Sequence, residues 1–363
     1  MEHVKGVGVM IEEDLLLSAL RAIAPGTLLR EGLDNVLRAK TGALIVISDT
    51  PKVMEIVEGG FALDCDFSPA ALYELAKMDG AIILSKDGKR IIYANAELVP
   101  NAEIPSSETG IRHRAAERTA RQTDEIVVAI SQRRSIITLY RGDMKFILRD
   151  FSELTAKANQ AISTLEKYRD GFDRVMTDLS AQEFRDTVTV FEVVHVLQRA
   201  EMLLRAGIEV KRYIVELGSE GRHISMQLVE LTSNVDEEVN LVIKDYRQSG
   251  DSRNTQEIRK HLRALTLDEM ADLVNICRVL GHGASLNALD QASATAGYRL
   301  LSKIQRIPKT TINNLVRALT DFQGILQAPL AVLEEVEGIG EVRARVIKSG
   351  IERLREQVIN QRH

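Results

Sequence analysis

Between Leu154 and Leu179 an apolar residue returns every three or four positions: Leu154, Ala158, Ile162, Leu165, Tyr168, Phe172, Val175 and Leu179. That spacing puts side chains on one face of an α-helix and on no single face of a strand. The stretch therefore predicts one long amphipathic helix, with Gly171 a tolerated weak point inside it. Before Ser152 this rhythm is found only in shorter stretches. Residues 1 to about 148 instead carry short apolar runs: ALIVIS (43–48), GAIILS (80–85), RIIYANAEL (90–98), EIVVAIS (125–131) and SIITLY (135–140). These read as strands, most of them apolar on both faces and so largely buried. Helical periodicity lies between them, at 12–24, 29–40, 68–77 and 112–122. The close spacing of 80–85 with 90–98, and of 125–131 with 135–140, predicts hairpins, so the sheet is expected to be mixed. The first part of the chain is thus an α/β domain with a central mixed sheet.

Behind the long helix, further helical stretches are expected at 187–205, 208–217 and 223–247, with SGDSRNTQ (249–256) a loop. From about 296 the helices are short and are punctuated by Pro308 and by Gly338 and Gly340. The expected division is an α/β domain over 1–148, an all-α spine over 149–295 and a small all-α domain over 296–363. A length of 363 residues suits two or three such domains. The tail from Ala296 holds 11 Lys/Arg against 7 Asp/Glu, while the whole chain is net −5, so a basic tail sits on an acidic body.

Several classes are set aside. The N-terminus lacks a basic segment followed by an uninterrupted apolar run, and no stretch reaches about 18 consecutive apolar residues. The chain is read as cytoplasmic, with no membrane partner. Cys65 and Cys277 are far apart, without metal-ligand spacing, and are expected to be buried small apolar residues. His195, His223, His261 and His282 are isolated and carry no metal role.

Three segments carry chemistry. The first is LEEVEGIGEVRARVIKSGIERL (333–354). Leu333 and Val336 end one helix, Gly338-Ile339-Gly340 makes a tight turn, and Ala344 and Ile347 face a core from a second helix. Two glycines let backbone N–H groups at a helix start approach a phosphate oxygen, with Arg343, Arg345 and Lys348 adding charge. LSKIQRIPKTTINNLVRAL (301–319) reads as a degenerate second copy, turning at Ile307-Pro308. The same glycines also suit a plain helix–helix turn. The second segment is SSETGIRHRAAERTARQ (106–122), a loop entering a helix. Ser106, Ser107 and Thr109 offer cap oxygens and Gly110 breaks the chain. Arg112, His113 and Arg114 then fill the first turn, where each cation costs about 0.3–1 kcal/mol against the helix dipole. An anion bound there resolves the conflict; so does pairing with neighbouring glutamates. The third is KMDGAIILS (77–85). Asp79 precedes a buried strand, with Gly80 and Ala81 small enough for a planar ring to approach. A carboxylate there suits a divalent cation, and Asp-Gly also suits an ordinary turn.

Asp79-Gly80-Ala81 matches the DGA motif of diadenylate cyclases, and Arg112-His113-Arg114 matches their RHR motif. The intervening ANAELVP and SSETG are also similar. With a helical spine and a tail that resembles the helix-hairpin-helix of DNA repair proteins, the chain resembles, over essentially its whole length, the DNA-integrity-scanning diadenylate cyclases. The resemblance implies condensation of two ATP into cyclic di-AMP with release of two pyrophosphates. It implies that Asp79 binds Mg²⁺ or Mn²⁺ and helps activate the ribose 3′-hydroxyl. Gly80, Ala81 and the Leu98 backbone would hold the adenosine. Arg112, His113 and Arg114 would grip phosphates, with Gly110 beside them and Ser131 and Arg134 near the triphosphate. It further implies a homo-octamer and a tail that binds branched DNA through Gly338, Ile339, Gly340, Arg343, Arg345 and Lys348, lowering cyclase output. One departure stands out. Ile111 and Ala115 replace the hydroxyl residues usual beside the basic triplet, so contacts there fall to backbone N–H groups. A scaffold that binds branched DNA and ATP without turnover is the competing expectation.

Overall fold

The computed structural model describes residues 17–248 and 250–360. The first half of the helix expected at 12–24, the N-terminal stretch searched for a leader, and Ser249 of the expected loop lie outside them; residues 17–22 are helical. Two compact units result. Among the described residues, one comprises 17–160 with 210–226, the other 161–209 with 227–360.

In the first unit, eight strands form one sheet among the described residues, in the order β2-β5-β4-β1-β6-β7-β8, with β3 also paired to β5. The strands are β1 (Ala43–Ile47), β2 (Val57–Glu58), β3 (Phe61–Asp66), β4 (Ala81–Leu84), β5 (Arg90–Leu98), β6 (Ile126–Ser131), β7 (Ile136–Arg141) and β8 (Met144–Ile147). β1 runs parallel to β4 and every other pairing is antiparallel, including the β4–β5 and β6–β7 hairpins. The apolar runs follow from burial on both faces. Ala43, Ile45 and Ile47 point into one core with Leu29, Leu33 and Val36 of α1 (Leu28–Arg38) and Leu72 of α3 (Pro69–Leu75). Leu44 and Val46 point into the other, with Val53 of α2 (Pro51–Met54) and Ala116 and Ala120 of α4 (Ile111–Thr123). The strand alternation thus packs a helix layer on each face.

In α5 (Phe151–Arg185) Leu154, Ala158, Ile162, Leu165, Phe172 and Leu179 are buried, as their spacing predicts. Two boundaries differ from expectation. The helices expected at 187–205 and 208–217 run together as α6 (Val190–Leu217). Gly207 remains inside it because a Cβ there would lie 3.3–3.4 Å from Thr232 and Leu228 of α7 (Arg222–Thr232). The helix expected at 223–247 breaks instead, because Asn234 (φ 61°) adopts a left-handed conformation before α8 (Val235–Tyr246). After α9 (Thr255–Ala264), α10 (Leu267–Ala271), α11 (Leu273–Leu280) and α12 (Leu286–Leu289), the tail comprises five helices among the described residues. These are α13 (Tyr298–Ser302), α14 (Lys309–Leu319), α15 (Phe322–Gln327), α16 (Leu330–Glu334) and α17 (Glu341–Asn360). Their apolar residues form one core. At Gly350 of α17 a Cβ would come 2.5 Å from Ile304, so this glycine allows close packing. Cys277 is buried as expected, but Cys65 is exposed. All six residues of β3 are exposed, which explains the correction.

Candidate active site

The basic triplet starts α4, whose N-cap Gly110 is extended and makes no side-chain cap bond. The serines expected to cap it serve a different group. Ser106 Oγ (2.5 Å), Ser107 N (2.9 Å) and Ser107 Oγ (3.2 Å) all donate to the buried carboxylate of Glu117, one and a half turns along the same helix. Burial alone would raise the Glu117 pKa; the hydrogen bonds from Ser106 and Ser107 and the Arg121 charge outweigh it and hold the carboxyl below its usual range. The loop is thereby tied down, and the first turn contains no acidic residue. Arg121, Arg134 and Lys145 make the ion pairs of this region. Arg112 and Arg114 make none among the described residues. The guanidinium of Arg112 lies along Gly42, where a Cβ would fall 2.0 Å from its Nη1. The helix start is therefore left with two unpaired guanidinium groups and its own free N–H groups.

His113 is buried between the flanking arginines. Its Nδ1 lies 2.9 Å from the hydroxyl of Tyr140 on β7, and that hydroxyl lies 2.7 Å from Glu108 Oε1. Lys145 Nζ is 2.5 Å from the same carboxylate oxygen, and Arg134 is 3.8 Å from the other. Burial lowers the His113 pKa, partly opposed by Glu108 and reinforced by Arg134, Lys145 and Arg112. Burial would raise that of Glu108, but the bonds from Lys145 and Tyr140 hold it below the ordinary value.

His113 and Arg112 border a cleft of about 560 Å³, with Tyr140, Glu108, Lys145 and Arg134 outside its lining. α4 and its cap contribute Gly110, Ile111, Arg112, His113 and Ala115; the sheet contributes Ala81, Leu98 and Ser131, and the turn before β4 contributes Gly80. Nine residues expected at the site therefore meet at one opening. Asp79 does not line it; it sits on the exposed turn just before Gly80 and makes no hydrogen bond or ion pair among the described residues. Arg114 is exposed outside the lining, and Arg134 is drawn toward Glu108. Gly80 is small for a reason within the protein. Its φ is +140°, and a Cβ would stand 2.8 Å from the Asn95 backbone. Sequence reasoning missed Glu97, Gln132 and Arg133, which also line the cleft. Gln132 and Arg133 lie between two residues that were singled out, so their position was the available signal.

No cluster of three or more His, Cys, Asp or Glu suited to a metal occurs among the described residues. A divalent cation here would rely on Asp79 and on oxygens from its substrate. That donor set fits Mg²⁺, which is commonly held by one or two carboxylates plus substrate phosphates.

In the tail, Leu333, Val336, Ala344 and Ile347 are buried as expected, and Ile339 is buried with them. Gly338 has φ +83°, and a Cβ on Gly340 would meet open space. The cations are locally engaged. Arg343 Nη1 donates to Gly338 O (2.6 Å), Arg345 pairs with Glu341, and Lys348 Nζ donates to Leu326 O (2.7 Å) at the end of α15. Burial lowers the Lys348 pKa.

No helix among the described residues is long and apolar enough to cross a membrane. The family model described as the DisA bacterial checkpoint controller nucleotide-binding region matches residues 30–145, and that of the DisA linker region matches 148–289. The DNA integrity scanning protein DisA of Carboxydothermus hydrogenoformans is 55% identical over 347 residues, covering 96% of this chain and 99% of that one. The protein of the same name from Acetivibrio thermocellus is 53% identical over 347 residues, covering 96% of each. That from Clostridioides difficile is 49% identical over 348 residues, covering 96% and 97%. Together with a nucleotide-sized cleft inside the matched nucleotide-binding region, such end-to-end similarity means that this chain belongs to the DisA family of diadenylate cyclases and is a nucleotidyltransferase.

Proposed function

We propose that the cleft binds ATP with its triphosphate at the start of α4, and that two such sites, brought face to face, make cyclic di-AMP and two pyrophosphates. The observation that carries this reading is the pair of unpaired guanidinium groups at a helix N-terminus lacking any acidic side chain in its first turn. Free N–H groups, the helix dipole and planar guanidinium forks act together on an anion. Ile111 and Ala115 offer no hydroxyl, so the N–H groups of the first turn carry that part of the grip. Ser131 and Arg133 line the same cleft.

Asp79 would hold Mg²⁺ or Mn²⁺, which when bound neutralises phosphate charge and acidifies the ribose hydroxyl. The chain's own groups bind and orient. Gly80, Ala81 and Leu98 form the small wall for the adenosine. Each ribose 3′-oxygen attacks the α-phosphorus of the other nucleotide, and pyrophosphate leaves in line. One protomer supplies half of this arrangement, so an isologous contact is required. Apolar side chains left exposed beside the cleft support such a contact: Ile111 is 79% exposed, and Met78 and Val99 neighbour Gly80 and Leu98 in the chain. We further propose a cytoplasmic homo-octamer in which residues 296–363 bind branched DNA and DNA engagement lowers cyclase output. The bare Gly340 at the start of α17 supports backbone-to-phosphate contact there.

The test is to incubate purified protein with ATP and Mg²⁺ or Mn²⁺ and identify the product by mass. Cyclic di-AMP is expected. DNA binding with no nucleotide product would instead favour the scaffold that binds ATP without turnover.

A further inference from the structure

The buried chain His113–Tyr140–Glu108 does more than fill space. Glu108 is tied to Lys145 at 2.5 Å and faces Arg134 at 3.8 Å, so it is an ionised carboxylate and can only accept. At 2.7 Å from Glu108 Oε1, the Tyr140 hydroxyl must donate its single proton to it. The Tyr140 oxygen is then left to accept, and the group 2.9 Å away is His113 Nδ1. Nδ1 must therefore carry the imidazole proton, as the other tautomer would leave two acceptors facing each other. In the neutral ring Nε2 then bears a lone pair. The structure makes that atom stand out. It is buried and has no hydrogen-bond partner, while the ring belongs to the cleft wall. Unsatisfied buried polar atoms are rare, and one on a side chain that lines a ligand cleft points to a missing partner.

We propose that Tyr140 and Glu108 are positioning residues that lock His113 in its Nδ1–H tautomer, so that Nε2 accepts a hydrogen bond from a hydroxyl of the bound nucleotide. A lone pair aimed at phosphate oxygens would repel them, since they carry no proton at neutral pH. The ribose hydroxyls do carry one. His113 is thereby separated in role from its neighbours: the arginines meet the phosphates and the imidazole meets the sugar. The proposal rests on the ATP reading of the cleft, and neither Tyr140 nor Glu108 touches substrate in it.

The experiment uses the full-length protein labelled with ¹⁵N-histidine. The His113 signals are assigned by their loss in His113→Gln. In wild type, Nδ1 should show the protonated shift and Nε2 the unprotonated one. Tyr140→Phe should leave the two tautomers averaging and lower kcat about tenfold, with KM for ATP within about twofold, because the lost contact orients a reacting group. Glu108→Gln still offers the Tyr140 hydroxyl an oxygen, so it should keep the tautomer and more of the rate. A protonated Nε2 in wild type overturns the proposal. So does a Tyr140→Phe enzyme with unchanged kcat, or one whose KM rises while kcat holds, which would place His113 on the phosphates. If wild type makes no cyclic di-AMP, the ATP reading fails on its own. The nitrogen shifts then uphold or overturn the tautomer lock by themselves.

Discussion

In the proposed reading two helix starts, those of α4 and α17, meet phosphate, and they are built in opposite ways. At the start of α4 the cations are unpaired and their surroundings are fixed: Ser106 and Ser107 anchor on Glu117, and Glu108 anchors Tyr140 and His113. At the start of α17 the cations are already engaged, on Glu341, Gly338 O and Leu326 O, and the approach is left to a bare glycine. A small polyanion that must react needs several groups held at one point. A nucleic-acid backbone repeats its charge and needs only close approach at intervals. The difference between them is that a similar local feature, a helix start preceded by glycine, has a buried polar scaffold behind it at α4 and locally engaged cations at α17.

The largest effect should come from loosening one end without the other. Glu183 in α5 is fully buried against Arg299 of α13 and accepts from Tyr246 Oη at 2.7 Å. Glu183→Ala strands a buried guanidinium and should cost the second unit about 3–5 kcal/mol. Hydrogen exchange should show that loss there while ATP affinity holds; a parallel loss of ATP binding would break the comparison. Next, Asp79→Asn should reduce cyclic di-AMP synthesis about 10²–10³-fold, the range for removing one group that stabilises transition-state charge, with the oligomer intact by light scattering. Arg112→Ala with Arg114→Ala should weaken ATP binding about tenfold or more by calorimetry, since a hydrogen bond to a charged group contributes roughly 1.5–3 kcal/mol. Arg114→Ala alone should do less, because Arg114 lies outside the cleft wall. Gly340→Glu places a carboxylate in open space and should lower junction affinity about tenfold without unfolding, measured by anisotropy at two salt concentrations.

The smallest effect separates the units by pH. Burial, with the nearby Glu183 charge, pushes Asp245 up to about 7 despite the N–H bonds it accepts from Arg299 and Tyr298. A carboxyl raised above its unfolded value of about 3.9 stabilises at low pH, and that contribution is lost as pH climbs from about 4 to about 7. Glu108 and Glu117 are held low, so their contribution is present above about 4.3 and is lost on acidification below it. Acidifying from pH 7 to 5 should therefore tighten the second unit through Asp245, while His113, held below its usual range by burial, loosens the first; Asp245→Asn should flatten the second unit's trend. Equal shifts in both units by hydrogen exchange would contradict the assignment.

What could be read from sequence follows the same physics. β1, β4, β6 and the α5 stripe declared themselves because burial on two faces, or on one helical face, leaves a periodic trace. β3 was not legible: FALDCD is wholly exposed and carries no such trace. Arg112 and Gly80 drew attention as local violations, a cation at a helix start and a glycine before a strand. The support behind them did not. Tyr140 lies 32 residues from Glu108 and meets it only through the sheet, and both serines looked like caps until Glu117 was seen to claim them.

The central claim is that the triphosphate of ATP sits on the start of α4. A crystal structure with a non-hydrolysable ATP analogue and Mg²⁺ tests it most directly. The account predicts phosphate oxygens within hydrogen-bonding distance of the first-turn N–H groups and Arg112, with the metal on Asp79. An analogue bound away from this cleft, or one placing its adenine against Arg112, would contradict it.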